Sequence, residues 1–162
     1  MRAARSPRAG ARLTRRLSIA VALVLVGCTN GGIATPSGGS GGVTINISLT
    51  NYQPTKTPYG QSGGYSPAVT TVAVGTQIHF VNNDSFAHTA TLIPNASSFP
   101  SGSPFGLSAL QQHGTTLSGG FTSGALAPNG SSQTITADRA GTYLFGCFFH
   151  YGAPMRAAIV AQ

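Results

Sequence analysis

Nine basic residues against two acidic ones give this 162-residue chain a formal charge of +7. Six of the nine, Arg2, Arg5, Arg8, Arg12, Arg15 and Arg16, crowd the N-terminus, and beyond residue 27 only Lys56, Arg139 and Arg156 face Asp84 and Asp138. The remainder is nearly neutral and offers no basic patch to a phosphate backbone, which excludes nucleic acid as a partner.

The arginine-rich start runs to Arg16, an apolar run follows from Leu17 to Val26, and Gly27-Cys28 comes next. This is the order of an export signal, and the apolar run is far shorter than the ~20 residues of a membrane-spanning helix. Leu25-Val26-Gly27-Cys28 resembles the bacterial lipobox. Residues 1–27 are therefore read as a lipoprotein-type export signal, and Cys28 as the lipid-bearing first residue of the mature chain. Thr14-Arg15-Arg16-Leu17 resembles a twin-arginine signal, so export of either an unfolded or a folded chain stays open. The chain has two cysteines. With Cys28 lipidated, Cys147 has no disulfide partner within the chain, and a lone thiol in an oxidising compartment is either free or held by a metal.

Residues 28–42, rich in Gly and Ser, read as a flexible tether, and residues 43–162 as one domain. Val43 to Leu49 alternates apolar and polar residues, the period of a half-buried strand. Residues 51–67, with their prolines, glycines and tyrosines, read as a loop. Val69–Val74 and Gln77–Asn82 read as strands separated by the Gly75-Thr76 turn, and Asn83-Asp84-Ser85 is a turn cluster. A short strand is expected over Ala87–Ile93. Pro94 to Gly130 has no clear periodicity and reads as an irregular excursion, with one or two helical turns over Ser108–His113. Ser132–Thr136, Thr142–Cys147 and Ala157–Ala161 read as strands. Many short strands, frequent turn signals and no long helix predict an all-β sandwich or barrel. About 120 residues is an ordinary size for one such domain.

The chemistry concentrates in Cys147-Phe148-Phe149-His150-Tyr151-Gly152-Ala153-Pro154-Met155. A thiol, an imidazole and a thioether at C-x2-H-x4-M spacing form most of the ligand set of a blue-copper site, which needs one more histidine. His88, just after the Asn83–Phe86 turn, is the natural donor. His79 alternates with Ile78 and Phe80, so it reads as a solvent-facing strand residue. His113 lies in the irregular region and reads as solvated. Met155 on its own would be core filling. The conjunction with Cys147 and His150 points instead to a ligand.

These residues resemble the type 1 copper site of small cupredoxins of the plastocyanin and pseudoazurin group. The likeness extends through Val74-Gly75-Thr76 and Phe80-Val81-Asn82-Asn83-Asp84 to His88-Thr89, and through Asp138-x2-Gly141-x-Tyr143 before Cys147. The resemblance implies a cupredoxin-like Greek-key β-sandwich with one copper ion cycling between Cu(II) and Cu(I). His88, Cys147 and His150 would hold it and Met155 would be the long axial ligand. Thr89 and Asn83 are the implied supporting residues, with a Thr89 N–H donating to the Cys147 sulfur.

In plastocyanins an exposed aromatic residue commonly precedes the copper cysteine. Here Gly146 stands there, which leaves His150 as the expected electron port. The expected docking rim is apolar, around Tyr151, Ala153 and Pro154. The implied activity is that of a monomeric, non-enzymatic one-electron carrier. It would be tethered by lipid to the outside of a bacterial membrane, on the periplasmic or outer-surface side, and would exchange electrons with membrane-associated redox proteins. The alternative is a copper carrier or storage protein for extracytoplasmic copper delivery. Four histidines are too few to build the further copper centres of a reductase or oxidase beside this site.

Overall fold

The computed structural model describes residues 33–34, 42–50 and 53–162. The predicted export signal (1–27), Cys28 and most of the predicted tether lie outside the described residues. Within the tether span, β1 (Ile33–Ala34) pairs in parallel with Val69 and Thr70. The tether reading gave this stretch no structure. The edge of β6 (Val69–Val72) that faces away from β13 (Arg156–Ala161) offers unpaired backbone groups, and β1 pairs along it.

The strands follow as β2 (Val43–Ile47), β3 (Thr55–Thr57), β4 (Gly60–Ser62), β5 (Tyr65–Ser66), β6 and β7 (Gln77–Asn82), then β8 (Thr91–Ile93), β9 (Gln112–His113) and β10 (Thr122–Ser123). β11 (Ile135–Thr136), β12 (Gly141–Gly146) and β13 (Arg156–Ala161) complete the set. One sheet runs β1-β6-β13-β12-β8-β10-β9, a second runs β11-β7-β2-β5, and β3-β4 form a separate hairpin. The second sheet mixes a parallel β2–β7 pair with antiparallel neighbours, as the first does at β6–β13. The expected Greek-key β-sandwich is present. Among the described residues the sole helical element is a 3-10 turn at Leu107–Leu110, and no helix is long and apolar enough to cross a membrane.

The alternation read in the sequence builds the core. On β7, Ile78, Phe80 and Asn82 are buried while His79 and Val81 are half-buried on the other face. His79 bonds Thr44 there, as its place in the pattern predicts. Ile45, Ile47, Ile78, Phe80 and Ile135 from one sheet pack against Phe145, Ala157, Ile159 and Phe121. Phe80 stacks on Phe121 at 6.0 Å and meets Phe145 at 5.3 Å between ring centroids. Loss of such a buried ring costs about 3–5 kcal/mol.

β12 and β13 are buried on both faces near their shared ends. A second cluster, Ile93, Leu144, Tyr151 and Ala158, is covered by Tyr59, Phe99 and Phe105. The irregular 94–107 stretch therefore has a structural duty: it roofs the outer face of the sheet that carries Cys147. Tyr151 Oη donates to the Pro100 carbonyl at 2.9 Å, and Phe99 N–H donates to the Tyr59 carbonyl at 2.9 Å, which pins the roof.

Candidate metal centre

Two segments from different parts of the chain meet at one end of the sandwich. The first leaves β7 and is fixed by Asn82, which is fully buried. Its amide donates to the carbonyls of Phe86, Leu126 and Ala127 at 2.8, 3.1 and 3.0 Å, and its side-chain oxygen accepts Asp84 N–H at 3.0 Å. A reciprocal bridge between His88 and Leu126 then sets the position of the histidine. The second segment is the 147–155 loop joining β12 to β13. It is closed by Cys147 N–H to the Met155 carbonyl at 3.1 Å and by Ala153 N–H to the His150 carbonyl at 3.0 Å.

The result brings His88, Cys147 and His150 together. Cys147 Sγ lies 3.7 Å from His88 Nδ1 and 3.7 Å from His150 Nδ1, and the two Nδ1 atoms are 3.2 Å apart. A point equidistant from the three donors lies ~2 Å from each, close to the bond lengths of first-row metals to imidazole and thiolate. The donor set, one soft sulfur and two imidazoles, is the type suited to copper. Met155 is fully buried in the same core cluster as Cys147.

Each donor's protonation is set by its surroundings. Burial pushes the Cys147 thiol up, against the pull of the N–H groups of Thr89, His150 and Phe149 and of the Thr89 hydroxyl. A metal that binds here must displace that proton. His150 is held below its ordinary value, first by burial and then by the neighbouring His88, with Asp84 acting in the opposite sense. Its ring is therefore neutral at neutral pH, the form that ligates.

Thr89 stands where the sequence reading put it. Its N–H points at Cys147 Sγ at 3.4 Å, and its hydroxyl accepts Phe148 N–H at 2.9 Å. Asn83 does not stand there. Its side chain is exposed and its amide donates to Asn46 at 3.1 Å, away from the donors. The period of β7 explains this, because Asn82 takes the inward position and Asn83 the outward one. Tyr151 also departs from expectation, being buried beneath Phe105 and Arg156 and so no part of an exposed rim. The exposed apolar groups beside His150 are Phe86 and Phe149, with ring centroids 5.5 and 6.0 Å from the imidazole. His113 is exposed on β9 and pairs with Thr122, apart from the cluster. Cys28 lies outside the described residues.

Two residues were missed as site residues. Asp84, read as part of a turn and of the run of family likeness but given no role, is buried with its Oδ2 2.8 Å from His88 Nε2. Burial pushes the Asp84 carboxyl up, but hydrogen bonds from Thr50, Leu49, Ser48 and His88 outweigh it and hold it well below the usual carboxylate range. Tyr65 Oη donates to the Thr89 carbonyl at 2.6 Å and so braces the peptide that faces the sulfur. A carboxylate four residues before a candidate ligand histidine was the available signal for Asp84. Tyr65 begins the Tyr65-Ser66-Pro67 run of the family likeness, but nothing in the sequence tied its hydroxyl to Thr89, 24 residues on.

The model of the copper-binding plastocyanin/azurin family matches residues 59–162. Among solved structures, the chain is similar to a purple cupredoxin from Nitrosopumilus maritimus at 21% identity, covering 74% of this chain and 99% of that one with a TM-score of 0.48. It is similar to a copper-containing nitrite reductase from Thermus scotoductus SA-01 at 20% identity, covering 75% of this chain but 22% of that one, with a TM-score of 0.46. A reduced tryptophan-to-tyrosine variant of amicyanin matches at 13% identity, covering 76% and 85% of the two chains, with a TM-score of 0.47. No curated protein matches the sequence.

Proposed function

Because the chain belongs to the plastocyanin/azurin family of copper-binding proteins, we propose that it is a one-electron carrier rather than an enzyme, with His88, Cys147, His150 and Met155 as the ligands of a type 1 copper ion. The observation that carries the reading is the triangle of Cys147 Sγ and two imidazole Nδ1 atoms, with sides of 3.7, 3.7 and 3.2 Å. The ion supplies the Cu(II)/Cu(I) couple, and the chain supplies a fixed geometry for both oxidation states. His88 and Cys147 are fully buried, and backbone hydrogen bonds to Leu126 and Met155 hold their segments in place. His150 is half-buried between the exposed rings of Phe86 and Phe149. It is the port through which electrons enter and leave, and the two rings with Ala153 and Pro154 form the apolar contact surface.

The partners in this reading are membrane-associated redox proteins. The signal-like N-terminus and the lipobox-like Cys28 support lipid anchoring on the outer face of a bacterial membrane, where the protein would act as a monomer and tethering would raise its effective concentration near those partners.

The test is the visible absorption and EPR spectrum of the Cu(II)-loaded protein beside Cys147→Ser. Wild type should show an intense thiolate-to-copper band and the variant none. Absence of the band in wild type, or its survival in Cys147→Ser, would falsify the assignment.

A further inference from the structure

The chain has two acidic residues in all. Asp138 lies on the surface, bonded to Ser118. The other, Asp84, is placed with no side-chain exposure directly behind His88. Removing a carboxylate from water costs several kcal/mol unless it is well paired, and here the pairing is extensive. Oδ1 accepts from the Ser48 hydroxyl at 2.7 Å, the Thr50 hydroxyl at 2.6 Å and Thr50 N–H at 3.4 Å. Oδ2 accepts Leu49 N–H and faces His88 Nε2 at 2.8 Å. The 48–50 turn that follows β2 therefore reaches across to the loop that carries the histidine.

We infer that Asp84 is a positioning residue of the copper centre: its carboxylate fixes the tautomer of His88 and, as a buried anion behind that ring, lowers the reduction potential. An ionised carboxylate only accepts, whereas a neutral imidazole has one donor and one acceptor nitrogen. With Nε2 against Oδ2, the ring hydrogen must sit on Nε2. The lone pair is then on Nδ1, the atom that faces Cys147 Sγ at 3.7 Å and His150 Nδ1 at 3.2 Å. The ligating form of His88 is thus selected before any metal arrives. Such carboxylate–histidine–metal arrangements orient the ring and raise its basicity. A more basic ligand with negative charge behind it favours the oxidised, more highly charged ion. The four donors from residues 48–50 moderate this, because each draws charge from the carboxylate that His88 would otherwise feel.

The inference rests on the proposed ligand set, and three measurements separate it from that reading. In the metal-free protein, 15N NMR should find His88 wholly as the Nε2–H tautomer. In Asp84→Asn an amide can present either its oxygen or its NH2 to the ring, so the tautomers should mix, copper should bind about 10- to 100-fold more weakly, and the potential should rise. Ser48→Ala removes one competing donor while leaving the charge, so its potential should fall.

Opposite shifts in the two variants are not expected of a residue that only anchors a loop. A metal-free wild type with His88 as Nδ1–H, an Asp84→Asn that loses stability at unchanged potential, or a Ser48→Ala whose potential rises or stays put would each overturn the inference. If Asp84→Asn does not fold, the wild-type tautomer and Ser48→Ala decide. If wild type with Cu(II) lacks the thiolate band, the electron-carrier reading fails, while the tautomer measurement still judges Asp84.

Discussion

Two glycines show how tightly single residues are specified around the donors. A Cβ on Gly146 would lie 2.7 Å from Cδ2 and 2.8 Å from Cε2 of Tyr151. The ring of Tyr151 fills the space that a side chain before Cys147 would need. Gly64 does the corresponding duty for Met155. Its φ is +72°, in the left-handed region, and a Cβ there would come within 2.6 Å of Met155 Cγ. Gly64→Ala therefore combines a backbone penalty of about 1–2 kcal/mol with a forced shift of Met155. Gly75 separates the two effects, since it too has a positive φ (+93°), but a Cβ there would meet nothing within 4 Å. Gly75→Ala should lower the urea midpoint and leave the visible and EPR spectra of the copper form as in wild type. Gly64→Ala should lower the midpoint further and change both spectra, provided that Met155 is the axial ligand.

At the scale of the elements, the sandwich is held at one corner by Asp138, in the turn between β11 and β12. Its carboxylate accepts the hydroxyl and the N–H of Ser118, the latter at 2.9 Å, and so ties down the loop that precedes β10. These bonds, the hydroxyl first and the N–H second, hold the Asp138 carboxyl below the ordinary value of 3.8. A group whose folded value is depressed takes up its proton first in the unfolded chain. Its contribution is therefore complete above 3.8 and is lost as pH falls through the lower folded value. The gap in urea stability between wild type and Asp138→Asn should be open at neutral pH and close on acidification through this window. A gap independent of pH would refute the tie.

The same elements show what the sequence made legible. The period-2 pattern in Gln77–Asn82 gave that strand its bounds and put His79 outside, and β2, β12 and β13 were equally readable. The β3–β4 hairpin and the 94–130 stretch were not, because long-range contacts such as Tyr151 to Pro100 order them, without an apolar period. The close spacing in the C-terminal loop made three of the four ligand candidates legible. Asp84 looked like a turn residue because its partners on residues 48–50 lie 34 to 36 positions away.

Over the whole molecule the charge distribution governs how the protein meets another. Between residues 43 and 162 the charged groups are Lys56, Arg139, Arg156, Asp84 and Asp138. Asp84 is buried, Asp138 is bonded to Ser118, and Arg156 lies over the Tyr151 ring at 4.1 Å. Among the described residues, the exposed groups beside His150 are the apolar rings of Phe86 and Phe149. Long-range steering needs a field of one sign near the contact, and screening by salt reveals it. Without that field, encounter depends on apolar contact. Electron self-exchange between two copies tests this without a partner, because both meet through the same face. Measured from NMR line broadening in mixtures of the Cu(I) and Cu(II) forms, the self-exchange rate should change little with ionic strength. Phe149→Glu puts a charge on the rim of both copies, so its exchange should be slower at low salt and should recover as salt screens the repulsion. A steep salt dependence in wild type, or a Phe149→Glu rate equal to wild type at low salt, would place the port on another face of the sandwich.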